Sequence, residues 1–112
     1  MKRIDAVIRP SQVDGVKESL NDLGITGATI FEARGFGRQK GHTETYRGSE
    51  YTVDVLPKLY ISIVVNDELL EPALEAIIES ARTGVIGDGK IFVSSVDEVI
   101  RIRTGERGPT AI

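Results

Sequence analysis

Ile4, Ala6 and Ile8 alternate with Arg3, Asp5 and Arg9, the two-residue period of a half-buried strand. After Pro10 and Ser11 the period lengthens. Val13, Val16, Leu20 and Leu23 then share one helical face, and Gly24 follows as a stop. Residues 28–33 predict a second strand with Thr29, Phe31 and Ala33 on one side. Leu59, Ile61, Ile63 and Val65 alternate with Tyr60, Ser62 and Val64 in a third strand. Asn66 and Asp67 can cap a second helix whose apolar stripe is Leu70, Leu74, Ile77, Ile78 and Ala81. Pro72 would clash with the carbonyl four residues back in a helix interior, so the helix is expected to begin near Glu71 or to bend. Residues 91–96 predict a fourth strand and 99–103 a short extra one.

The order β-α-β-β-α-β predicts an α+β fold, the ferredoxin-like split sandwich, with both helices on one sheet face. Val7, Tyr60 and Val64 then fall on the other face, which is too apolar to be simply solvated. A second subunit is expected to cover it.

The 112 residues suffice for a single domain. A net charge of −3 argues against general nucleic-acid binding. The absence of cysteine excludes disulfides and thiolate metal sites, and His42 alone cannot build a multi-histidine site within one chain. No apolar run approaches the roughly 18 residues of a membrane span, and Met1 leads straight into a strand pattern. The expected compartment is the cytoplasm.

Candidate chemistry sits in two polar, glycine-bearing stretches. Residues 35–51 form a long break between two strand patterns, and loops beyond roughly 12–15 residues usually serve a function or lack order. Gly35-x-Gly37 falls short of a dinucleotide fingerprint, because Lys40 stands at the third glycine position and no helix follows. The second stretch, residues 83–90, contains Gly84, Gly87, Gly89 and Lys90. Its backbone N–H groups can form an anion nest beside a full positive charge. It is no P-loop: Ile91 replaces the magnesium-binding hydroxyl, and the order is helix, loop, strand. A tight turn closed by a helix-stopping Gly84 accounts for the same residues. Arg101 and Arg103, two apart in an extended stretch, would project from one face and match polyphosphate oxygens; a charged, solvated strand edge is the alternative. No catalytic triad or carboxylate dyad is evident, and His42 lacks a partner acid.

The segments Gly35-Phe36-Gly37-Arg38-Gln39-Lys40-Gly41, Tyr46-Arg47-Gly48-Ser49-Glu50-Tyr51, Thr83-Gly84-x-Ile86-Gly87-Asp88-Gly89-Lys90-Ile91-Phe92 and Arg101-Ile102-Arg103-Thr104-Gly105-Glu106 stand in this order. With them the whole chain resembles the PII nitrogen-regulatory signal-transduction proteins. The resemblance implies a homotrimer binding ATP or ADP in clefts between neighbouring subunits. It implies a partner-contacting T-loop at about 37–55, a phosphate-holding B-loop at about 82–90, and a C-loop at about 101–108 reaching across from the adjacent subunit. Nucleotide contacts would fall on Thr29, Gly37, Arg38, Gln39, Val64, Gly87, Asp88, Gly89, Lys90, Arg101 and Arg103. 2-Oxoglutarate would bind through magnesium beside ATP, at Gln39, Lys58 and Gly87, with the Gln39 amide oxygen as a metal ligand.

The same resemblance matches Tyr51 to a nucleotidylation site and Ser49 to a residue phosphorylated in one branch. Arg47, on the T-loop tip, would enter the pore mouth of an ammonium transporter; enzymes controlling glutamine synthetase are the other implied partners. The implied role is a non-enzymatic sensor, cytoplasmic and peripheral at a membrane only through a transporter. A slow ATPase or phosphotransferase in the same cleft is the alternative. Three positions depart from the family pattern: Val85 stands where a charged residue is usual, Ala28 replaces a common Met, and Ser62 a common acidic residue. These put relative ATP and ADP affinities in question.

Overall fold

The structure is a computed structural model describing residues 1–37 and 55–112 and, between them, the backbone of 43–46 and 49–52. Strand β1 (Lys2–Ile8) leads through a 3-10 turn at Pro10–Gln12 into helix α1 (Val13–Asp22). Strand β2 (Thr29–Gly35) follows, then β3 (Thr43–Tyr46), β4 (Ser49–Thr52) and β5 (Leu56–Val65). A 3-10 turn at Asp67–Leu69 opens helix α2 (Leu70–Ala81), and β6 (Lys90–Ser95) completes the set. The main sheet has the order β2-β5-β1-β6 with every neighbouring pair antiparallel. This is the ferredoxin-like α+β arrangement that the alternation of patterns predicts.

The period-2 patterns decide what lies inside. Ile4, Ala6 and Ile8 of β1 and Ile61, Ile63 and Val65 of β5 are all buried. They pack against Val16 and Leu20 of α1 and Ala73, Ile77 and Ala81 of α2. Ala73 was not in the predicted stripe, yet it is fully buried, whereas Ile78 is 38% exposed. A small side chain fits where the helix lies close to the sheet.

The opposite face carries Val7 paired across to Tyr60, with Phe31 next in the same row. The Phe31 and Tyr60 rings stack at 4.6 Å. Phe31 is 49% and Phe92 55% exposed on this face. Asp5 is buried here, accepting a hydrogen bond from Arg3 Nε at 3.0 Å.

Several boundaries differ from the sequence reading. The stretch 35–51 is not wholly loop, since β3 and β4 pair as a two-stranded ribbon with Thr43 opposite Thr52. No side chain caps α2: the Asn66 carbonyl accepts from the Leu69 N–H, and the Asp67 carboxylate instead accepts from the N-terminal ammonium at 3.0 Å. The regular helix begins at Leu70, so Pro72 occupies its third position. Its missing N–H there is one that a first turn leaves without an intrahelical partner.

The predicted strand at 99–103 is replaced by a turn. Only Ile100 bridges, to Arg107, and Gly105 at φ 73° donates back to the Arg101 carbonyl at 2.7 Å. Arg101 and Arg103 therefore do not share an extended face. A backbone that turns back at a left-handed glycine cannot keep the two-residue period.

Candidate phosphate-binding site

The loop between α2 and β6 is shaped by three glycines in the left-handed region: Gly84 at φ 86°, Gly87 at 110° and Gly89 at 99°. At Gly89 the requirement is also steric. A β-carbon there would lie 1.7 Å from the Val7 carbonyl oxygen. The close approach follows from the register, because the next residue, Lys90, pairs with Val7 of β1.

Asp88 braces this loop from inside. Its Oδ2 accepts from the N–H groups of Thr83 at 2.8 Å and Gly84 at 2.9 Å, and its Oδ1 accepts from the Thr83 hydroxyl at 2.5 Å. Oδ1 also accepts from Arg9 Nε at 3.1 Å. These contacts, the Thr83 hydroxyl first, hold the Asp88 carboxyl well below the usual carboxylate range. The predicted ligand residue thus turns its carboxylate inward and leaves its backbone outward.

Two further cations grip the loop's carbonyls. Arg9 Nη2 donates to Ile86 O at 2.9 Å and Val85 O at 3.4 Å. Lys58 Nζ donates to Gly87 O at 2.7 Å. Partial burial lowers the Lys58 pKa and the neighbouring Arg9 lowers it further, while Asp88 partly offsets both. Arg9 was not a predicted site residue. It lies 79 positions from Asp88, and nothing local in the sequence marks it.

Lys90 is exposed, and among the described residues its side chain makes no hydrogen bond or ion pair. Arg101 donates to Glu106 Oε1 at 3.1 Å and to the carbonyls of Thr110 and Ile112, tying the turn to the C-terminal segment. Arg103 is exposed, without a side-chain partner among the described residues. Gly37 lies two residues beyond the end of β2. Arg38, Gln39, His42 and Arg47 lie outside the described residues, and Ser49 and Tyr51 are described only as backbone in β4.

Thr29 and Val64 lie on the same sheet face as Lys90 but far from it. Thr29 stands opposite Ser62 on the β2 edge, and Lys90 is on the β6 edge. Three strand spacings separate those edges, about 14 Å. Val64 is six residues along β5 from Lys58 (64 − 58), about 20 Å of strand. The loop, Lys58 and Gly37 cluster at one end of the sheet, and Thr29 and Val64 at the other.

Two hollows lie in the described surface, and the first borders the loop. One of about 330 Å³ is lined by Ile8, Ile77, Ala81, Arg82, Lys90 and Ile91. Its walls are chiefly the apolar core edge, with Asp88 and Gly89 of the loop also lining it. The other, about 490 Å³, lies by Pro10, Glu32, Arg34, Pro57 and Lys58. Among the described residues no group of three or more His, Asp or Glu side chains is placed to hold a metal ion. No helix of the described residues is long and apolar enough to cross a membrane.

Comparison with known proteins agrees with this geometry. A family model described as Nitrogen regulatory protein P-II matches residues 1–106. Proteins named nitrogen regulatory protein P-II from Azospirillum brasilense and Pasteurella multocida are each 62% identical over 112 residues, covering all of both chains. One from Rhodospirillum rubrum is 61% identical over the same length. With sheet order, glycine loop and full-length similarity in agreement, the chain belongs to the P-II family of nitrogen regulatory proteins and acts in signal transduction for nitrogen regulation.

Proposed function

We propose that the chain is a homotrimeric, non-enzymatic sensor that binds ATP or ADP between neighbouring subunits. One observation carries this reading. The anion-facing loop and the pair Thr29 and Val64 stand toward opposite ends of one sheet face, and a second copy laying its Thr29 and Val64 beside the loop brings both to one nucleotide. The phosphates lie on the glycine loop and Lys90 of one subunit; Thr29, Val64 and Arg103 belong to its neighbour's share. Arg101 first has to exchange its intramolecular partners, or it serves to hold Arg103's turn in place.

2-Oxoglutarate binds beside ATP, its distal carboxylate on Lys58. Gln39 would help hold magnesium, which would supply positive charge to offset the phosphates and the keto acid. The donor set favours a metal held chiefly by ligand oxygens and the Gln39 amide, because Asp88, the carboxylate nearest the loop, is already saturated by four donors. ADP lacks the third phosphate and favours a different conformation of residues 37–55, which carry the message to an ammonium transporter or to enzymes of nitrogen assimilation. Tyr51 and Ser49 are the proposed modification sites on that arm.

Calorimetry with ATP and ADP, each with and without magnesium and 2-oxoglutarate, tests the reading on a sample whose mass is read by light scattering. A trimer that binds adenylates, and binds 2-oxoglutarate only with ATP, is expected. A monomer indifferent to adenylates overturns it, and ATP turnover that is rapid and lost in Lys90→Ala points to an enzyme instead.

A further inference from the structure

Arg9 follows the last residue of β1 and precedes Pro10, which fixes its backbone in the extended region at φ −65°, ψ 137°. Its guanidinium is therefore launched from a rigid strand end. It reaches the Asp88 carboxylate and the carbonyls of Val85 and Ile86, while Lys58 takes the next carbonyl, Gly87. Three successive carbonyls thus point toward two cations. In a trans peptide the N–H of the following residue points opposite to the carbonyl. The N–H groups of Ile86, Gly87 and Asp88 accordingly face away from Arg9 and Lys58, and among the described residues none of them meets an acceptor.

We propose that Arg9 is a positioning residue: by collecting the loop's carbonyls on one side, it turns three consecutive amides outward as the donor row for phosphate. The proposal rests on the adenylate reading given above and adds a residue to it. The loop needs such a device because Gly87 at φ 110° has access to both signs of φ, so its peptide planes are easily rotated. A planar guanidinium with five donors satisfies several acceptors in fixed directions; an ammonium is a point charge on a flexible stem.

That difference supplies the test. Arg9→Gln and Arg9→Lys, made in the full chain, are compared with wild type and Lys90→Ala by calorimetry with ATP and with inorganic tripolyphosphate. Amide resonances and hydrogen exchange of residues 86–88 are followed without ligand. Both Arg9 variants are expected to lose about tenfold or more in affinity, as removal of charge-assisted hydrogen bonds implies. Their ligand-free amides 86–88 should shift and exchange faster while thermal unfolding moves little. Restoration of wild-type affinity by Arg9→Lys would reduce the role to bulk charge and overturn the proposal. So would wild-type amide shifts and exchange in Arg9→Gln. Should wild type itself bind neither polyphosphate, the adenylate reading falls and the donor-row role falls with it. The amide data would then report only whether Arg9 orders the loop. Loss in Lys90→Ala with full binding by both Arg9 variants leaves the adenylate reading standing and removes Arg9 from it.

Discussion

At the scale of single residues, Gly89 and Asp88 make the loop's shape a matter of sterics and charge. Replacing Gly89 by Ala places a methyl against the Val7 carbonyl and forces an L residue into φ 99°. Gly89→Ala is expected to cost about 1–3 kcal/mol or more, read as a lowered urea midpoint, with loss of phosphate binding. The Asp88 brace has a definite pH sense. Its folded pKa is depressed below the ordinary 3.8, chiefly by the Thr83 hydroxyl. The stabilisation is complete above the unfolded value and disappears only as pH falls through the lower folded one. An NMR titration of the Thr83 and Gly84 amides should show a midpoint well below that of a solvated aspartate, and Asp88→Asn should abolish it. A midpoint at the ordinary value would deny the brace its charge. At Val85, 64% exposed, only the carbonyl contacts Arg9, so the side chain can change without disturbing the loop. Val85→Lys places a cation beside the glycine loop. It is expected to tighten ATP over ADP by a few-fold, the size of a solvent-screened charge effect, as calorimetry would read.

At the scale of elements, the four strands of the main sheet and both helices were legible because burial imposes a period. Ile4, Ala6 and Ile8 cannot alternate with charge by accident and still form the floor under α1 and α2. The ribbon of β3 and β4 was not legible, since Thr43, Glu44, Thr45 and Tyr46 carry no apolar alternation to announce a strand. The turn after Ile100 was misread because Ile100, Ile102 and their arginines keep a period of two in sequence. Yet Ile102 is 99% exposed, so no packing enforces that period. The tight loop before β6 was legible through its glycines. Its support was not: Arg9 and Lys58 act through contacts 79 and 29 residues apart, and no local pattern encodes a partner at that distance. Helix α2 provides a check on the packing argument. Ile77 is 1% exposed against the sheet, so Ile77→Ala should cost about 2–5 kcal/mol in chemical unfolding, whereas Ile78→Ala, at a half-exposed position, should cost much less.

At the scale of the whole molecule, the open sheet face and the divided site make one argument. Val7, Tyr60, Phe31 and Phe92 leave an apolar surface opposite the helices, and the proposed nucleotide contacts stand toward its two ends. In the proposed trimer a closed ring of copies would cover the face and, by the same operation, bring one chain's loop to the next chain's Thr29 and Val64. This predicts complementation between damaged chains. Lys90→Ala removes the phosphate side of a site and leaves Thr29 and Val64 intact; Val64→Glu does the reverse. Each homotrimer alone should bind ATP poorly. Mixed by co-refolding, the two variants should yield sites in which an intact loop meets an intact Val64. In a random one-to-one mixture these are about a quarter of all sites in a cyclic trimer. Calorimetric stoichiometry reads that fraction directly. A site built within one chain carries one defect in every copy, so mixing would restore nothing, and that result would place the whole nucleotide site on a single subunit.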